Sequence, residues 1–189
     1  MRFSGVFVLA SLVISSFAST AADVKADIVG ISAKLTILDN ATYAIPLSGG
    51  TLPQFLAFYS SLLTVIPAWN KGAADIGNVS PNPLSLVDAR AILECVDAVD
   101  TIPRILDSIV ARKKIFGIPD GVVTQKNIFS TRHIPTIPLI KMELVNLKAA
   151  TQNFQIALIQ VVPTSLVPEA TAIKTITDAA FDAAIAFYS

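Results

Sequence analysis

IPLIKMELVNLKAATQNFQIALIQVVP, residues 137–163, carries the pattern on which the fold turns. Ile137, Ile140, Leu144, Leu147, Thr151, Phe154, Leu158 and Val161 follow one another at steps of three and four. Such spacing puts one apolar stripe along a helix. Pro163 ends the helix, because a proline has no N–H for the next turn.

The same reading extends in both directions. Upstream, Val24, Ile28, Ile31, Leu35, Leu38, Thr42 and Ile45 form an equivalent stripe, stopped by Pro46 and Gly49-Gly50. A second helix is expected from about Thr51 to Asn70. Its apolar face is Leu52, Phe55, Leu56, Tyr59, Leu62, Leu63 and Ile66, with a kink at Pro67 and a C-cap at Gly72. A third opens at Ser85-Leu86-Val87-Asp88, a capping-box-like start, and continues through a bend at Pro103 to Lys113-Lys114. Its stripe is Ala89, Ile92, Cys95/Val96, Val99, Ile102, Leu106 and Ile109. Downstream, Pro168 and Glu169 suit the first turn of a last helix with Ile173, Ile176, Ala180, Ala184 and Phe187 on its inner side. Gly117 to Thr136 breaks the pattern: it holds Pro119 and Pro135 and scattered apolar residues without a period. The expectation is an all-α antiparallel bundle of about five helices, with room for an internal apolar cavity.

The first residues have another purpose. Met1-Arg2, an apolar run from Phe3 to Phe17 and the small residues Ala18 to Ala22 have the form of a secretory signal peptide. Residues 1–21 are therefore expected to be removed, leaving 22–189 as one secreted or wall-associated domain. No second apolar run long enough to span a bilayer is expected in that domain. Ala183 to Ser189 lacks the polar spacer and apolar tail of a lipid-anchor signal. The lone Cys95 excludes an internal disulfide, so packing alone must hold the domain. Asn40-Ala41-Thr42 and Asn78-Val79-Ser80 are glycosylation sequons, the second weakened by Pro81.

Charged residues make up only 15% of the chain, against about 25% in an average soluble domain. The formal net charge is +0, which gives no electrostatic reason to bind nucleic acid. Catalytic sets are missing too. His133 is the only histidine and lies in the proline-bearing segment, a poor place for a triad base. One His and one Cys cannot assemble a usual zinc site, and no phosphate loop occurs, so neither a metal nor a cofactor is expected. Glu94, Asp97, Asp100 and Asp107, with Arg104 between them, read as a solvated helix face with ion pairs along the helix.

The ends of the domain resemble a family. Asp23-Val24-Lys25-Ala26-Asp27-Ile28-Val29-Gly30-Ile31, running on to Leu35 and Leu38-Asp39, looks like the first helix of the fungal hydrophobic surface-binding protein A family, which includes cell-wall galactomannoproteins. Ala157-Leu158-Ile159-Gln160-Val161-Val162-Pro163 and Ile176-Thr177-Asp178-Ala179-Ala180-Phe181-Asp182-Ala183-Ala184-Ile185 are similar to its last two helices. The resemblance covers nearly all of the chain after the leader except Gly117 to Thr136. It implies a small secreted or wall-associated helical domain without catalytic residues. Some relatives adsorb to hydrophobic solids and help recruit polyester-degrading enzymes, and others hold a fatty acid inside the bundle.

Three readings stay open. In the first, a fatty acid or similar lipid occupies a cavity lined by Leu35, Leu38, Phe55, Tyr59, Leu62, Val96, Leu147, Phe154, Leu158 and Ile176, with Tyr59, Thr151 or Gln155 meeting its polar head. Kinks at proline and small core residues such as Ala89 would make the space. In the second, Trp69, Phe116, Ile128, Phe129 and Ile134 adsorb to a hydrophobic solid. In the third, the chain is a structural wall mannoprotein, glycosylated at Asn40, with Asn78 the weaker site, and takes no small ligand. Cell-wall polysaccharide or a secreted polyester hydrolase would be the further partners.

Overall fold

The computed structural model describes residues 18–97, 101–113 and 136–188. Helix α1, Ala21–Tyr43, opens on a reciprocal cap. Thr20 Oγ1 accepts the Asp23 N–H at 3.2 Å, and the Asp23 carboxylate accepts the Thr20 N–H at 2.8 Å. The Thr20 hydroxyl also donates to the Asp23 carboxylate at 2.6 Å, and this bond first, then the one from the Thr20 N–H, holds the Asp23 carboxyl below its ordinary range. Just before the cap, the Ser19 N–H donates to Asn78 O and Ser19 O accepts from the Ser80 N–H, so the chain is already docked at Ser19. Gly49, at φ 129°, provides the left-handed residue in the link to α2.

Helix α2, Leu52–Gly77, repeats the capping device with Thr51 and Gln54, with Pro53 in its first turn. It is longer than its sequence suggests. It passes through Pro67, and Gly72 is an interior, buried position instead of a C-cap. By length and composition α2 is apolar enough to cross a bilayer, which corrects the expectation that no such segment follows the leader. Here it is the central helix of the bundle.

The third helix is two. Helix α3, Leu86–Asp97, starts where Ser85 Oγ accepts the Asp88 N–H at 3.1 Å. Helix α4, Ile102–Ala111, begins afresh with Pro103 in its first turn. A proline is tolerated there because the first N–H groups of a helix have no partner within it, so Pro103 opens a helix where a bend was expected. Helix α5, Thr136–Val161, is followed by a short 3-10 turn, Thr164–Leu166, and by α6, Val167–Phe187.

The packing closes a ring. Helix α1 lies on α2, α2 on α5, α5 on α6, α6 on α4, and α4 on α1, while α3 docks on α1. Contacts along the axis give the directions. Tyr59 meets Glu143 and Trp69 meets Phe154, so α2 and α5 run parallel. Asp27 pairs with Lys71, and Lys148 with Asp182, so α1/α2 and α5/α6 are antiparallel pairs. Arg104 meets Asp39, Arg112 meets Ile45, and Tyr188 meets Ile109, which makes α1, α4 and α6 parallel to one another. The five helices of the ring thus run two against three. Among the described residues, the sole β-type pairing is the bridge between Ser19 and Val79.

Every expected stripe residue of α1 is buried, as are those of α5 from Ile140 to Val161. On α2 and α6 the buried face is turned from the expected one. Helix α2 buries Phe58, Ser61, Leu62, Val65, Trp69, Gly72 and Ile76, leaving Leu56 and Leu63 exposed. Helix α6 buries Ala170, Thr177, Phe181 and Ala184, leaving Ile176 and Phe187 exposed.

Candidate functional site

The helices of the ring meet around a small cavity. Leu35 and Leu38 come from α1, Trp69 from α2, Ile102, Ile105, Leu106 and Ile109 from α4, Leu147 and Thr151 from α5, and Phe181 from α6. Its volume is about 10 Å³, room for no more than a water-sized sphere. The lining is apolar except for Thr151, whose hydroxyl donates back to Leu147 O at 2.9 Å, and for the indole N–H of Trp69. Trp69 is 3% exposed, and its Nε1 has no hydrogen-bond partner among the described residues.

Four of the expected lining residues, Leu35, Leu38, Leu147 and Thr151, meet at this cavity. Leu62, Val96, Phe154, Gln155 and Leu158 are buried in the surrounding core without lining it. Phe55 and Tyr59 are half-buried and stacked on each other at the α2–α5 face, centroids 6.2 Å apart. The Tyr59 hydroxyl donates to Glu143 Oε1 at 3.2 Å instead of facing the cavity. Burial is the main cause that raises its pKa, reinforced by the Glu143 charge. Ile176 is misplaced by the sequence reading: it is 57% exposed, because α6 turns Thr177 and Phe181 inward.

Trp69 is the larger correction. Expected on the outside, it lies inside with its ring edge-on to Phe154, centroids 5.1 Å apart. Gly72, one turn on, makes this possible, since a Cβ there would stand 3.2 Å from two Phe154 ring carbons. Phe116, Ile128, Phe129 and Ile134, the other candidates for adsorption, lie outside the described residues, as does His133. Asn40 is exposed in the last turn of α1. Asn78 is also exposed, but its Nδ2 donates to Ala74 O at 2.9 Å.

Sequence reasoning missed the α4 wall and Phe181. Ile102, Leu106 and Ile109 were legible as core, but nothing in their spacing distinguishes cavity from core. Helix α4 is held unevenly. Near its start Arg104 pairs with Asp39 on α1 at 2.8 Å, not with Asp107 as expected from helical spacing; Asp100 lies outside the described residues. Arg104 is half-exposed, and such pairs contribute little. At its end the ties are buried. Arg112 Nε donates to Ile45 O at 2.8 Å, its Nη1 to Ser108 O at 2.9 Å, and its guanidinium lies 5.2 Å from the Tyr43 ring centre. The Tyr188 hydroxyl donates to Ile109 O at 2.8 Å, and burial pushes its pKa well above the ordinary tyrosine value. Among the described residues no three His, Cys, Asp or Glu side chains gather as a metal site requires.

No family model and no curated protein matches the chain. Solved structures do. AfMP4p in complex with palmitic acid superimposes with a TM-score of 0.73 at 21% identity, over 89% of this chain and 99% of that one. Ligand-binding domain 1 of the Penicillium marneffei MP1 protein, complexed with arachidonic acids, gives 0.71 at 20% identity, over 89% and 99%. The chain shares their fold. Domain 2 of the same MP1 protein, also with arachidonic acids, gives 0.65 at 14% identity, over 89% and 93%. At these identities the likeness extends to the helical architecture alone.

Proposed function

We propose that this protein is a secreted, non-enzymatic binder of a fatty acid or similar single-chain lipid, taken up between the helices at the central cavity. The observation that carries the reading is the cavity itself: apolar, at the centre of the ring, in a fold shared with proteins solved with palmitic and arachidonic acids. Its 10 Å³ cannot admit an acyl chain unless the walls separate. Helix α4 is the wall that moves. It is ten residues long and contributes four of the ten lining side chains. It would swing from its first turn, where the half-exposed Arg104 bonds Asp39 and Tyr43 of α1, about its buried last turn. Each CH2 transferred from water gains about 0.8 kcal/mol, so a palmitoyl chain gains on the order of 10 kcal/mol. Opening the bundle and losing ligand freedom offset part of that.

Export rests on the leader-like residues 1–21. A cut after Ala18 would keep the docked Ser19 and the Thr20 cap, whereas one after Ala21 would remove both; the intact mass of secreted protein reads the position. Adsorption to solids through the Gly117–Thr136 segment, and a structural wall role with glycosylation at Asn40, are the other readings of the sequence.

A titration with palmitic acid tests the proposal. Trp69 is the only tryptophan, so its fluorescence reports on the cavity directly. Saturable change near one lipid per chain is expected. No change, together with loss of protein onto hydrophobic beads, would overturn lipid uptake and favour adsorption.

A further inference from the structure

The lining of the cavity also specifies the ligand's polar end, given the lipid-binding reading above. A buried N–H with no partner is costly, because it has lost water and gained nothing in exchange. Among the described residues Trp69 Nε1 is such a group, and its side chain lines the cavity. Phe154 packs edge-on against the indole, with Gly72 leaving the ring the space it needs. The indole offers one donor and no acceptor. None of the ten lining residues is charged. Among the described residues, three cations close to the lining are already committed: Arg104 to Asp39, Arg112 to the Ile45 and Ser108 carbonyls, and Lys148 to Asp182. An ionised carboxylate brought to Trp69 would therefore be a buried, uncompensated charge, and one neutral N–H cannot balance it.

We infer that Trp69 Nε1–H is the anchor for an uncharged oxygen acceptor on the bound lipid. Three sources share that chemistry: the carbonyl of a fatty ester, the hydroxyl of a fatty alcohol, and a fatty acid in its protonated form. The alkyl chain fills the space opened between α4 and the rest of the ring. Specificity then lies in a single neutral hydrogen bond, since the other polar side chain of the lining, Thr151, spends its proton on Leu147 O.

The test compares methyl palmitate, hexadecanol, palmitate and hexadecane at pH 8 on the full chain, with binding read by displacement of a fluorescent lipid. In isotope-labelled wild-type protein the single indole N–H resonance should move downfield with methyl palmitate and hexadecanol, and much less with hexadecane. Trp69→Phe should weaken methyl palmitate about 5-fold, as expected for loss of one neutral hydrogen bond, and leave hexadecane unchanged. The resonance experiment needs no variant, so it decides the matter even if Trp69→Phe fails to fold. Lipid binding with an unmoved indole resonance, or equal losses for the ester and the hydrocarbon, would overturn the anchor alone. Palmitate binding more tightly than methyl palmitate while moving the indole resonance equally would overturn the uncharged class. Failure of all four lipids to bind would overturn the lipid-binding reading and the anchor with it.

Discussion

The α2–α5 seam and the α4 wall face each other across the cavity and are built differently. Helices α2 and α5 are 26 residues each and lie parallel, locked by the Trp69–Phe154 contact and by Gly72 receiving the Phe154 ring. Helix α4 is ten residues long, presents only aliphatic side chains to the cavity, and is tied at its last turn by the buried Arg112 and Tyr188. A protein's local stability follows its density of buried contacts, so a chain can keep one wall fixed while another opens. A nearly closed core and lipid uptake therefore need not conflict, provided the short wall yields first.

The seam gives the largest effect. Phe154→Ala removes a fully buried ring from between Trp69 and Gly72 and should cost about 3–5 kcal/mol in a denaturant titration. A loss below about 1 kcal/mol would mean that the seam collapses easily and is not the rigid side. Next is Arg112→Met, which keeps much of the side-chain volume but deprives the Ile45 and Ser108 carbonyls of their donor. The expected cost is about 2 kcal/mol, with hydrogen exchange accelerated in α4 and not in α5. Equal acceleration in both would erase the distinction between the walls.

How much of this was legible in the sequence depended on polar punctuation. In α1, Lys25 and Lys34 stand between the apolar positions and mark an outer face, so the buried stripe could be read residue by residue; Asp27 and Asp39, expected to face water with them, are instead drawn against Lys71 of α2 and Arg104 of α4, and Asp39 is buried. Helix α5 keeps its stripe as well, although Glu143 and Gln155 join the buried side and Met142, Val145 and Ile156 stay exposed. In α2 and α6 apolar or small residues occur on every side, and the phase of the helix is undetermined until neighbours are known. Spacing alone therefore puts Ile176 in the core and gives no sign of Phe181. Trp69 was misread because Pro67 and Gly72 suggest a helix end, while the helix continues to Gly77. The cavity itself left no signal, since a lining leucine and a packed one are the same residue in the same period.

Gly72→Ala probes the seam more finely. Alanine favours the helix by about 1 kcal/mol. Against that, its Cβ would sit 3.2 Å from the Phe154 ring and 3.4 Å from Ile31 Cδ1. Both neighbours are buried, so neither yields freely, and overpacking of this kind costs about 1–3 kcal/mol. A net loss of about 1 kcal/mol is expected, with a changed emission from Trp69. A gain in stability would show that Phe154 has room to shift and that the seam is looser than its contacts suggest.

Tyr188→Phe should have the smallest effect at neutral pH and the clearest dependence on pH. The Ile109 carbonyl accepts both the Tyr188 hydroxyl and the Arg112 N–H, so losing the phenol does not leave it bare. About 0.5 kcal/mol is expected at pH 7. Burial raises the Tyr188 pKa in the folded state above the value of about 10 that the unfolded chain would show. A raised folded-state pKa means that the unfolded state releases its proton first. The stabilisation is therefore complete below about pH 10 and declines as pH rises beyond it. The variant should lose less stability than the wild type between neutral pH and about pH 11. If this tie secures the pivot of α4, hydrogen exchange in the last turn of α4 should also rise with pH in the wild type. In Tyr188→Phe it should already be high at neutral pH and, after correction for the intrinsic exchange rate, stay level. Parallel pH profiles in the two proteins would place the alkaline weakness elsewhere, with Lys71, whose raised pKa comes first from its bond to Asp27 on the α1–α2 face, as the next group to replace.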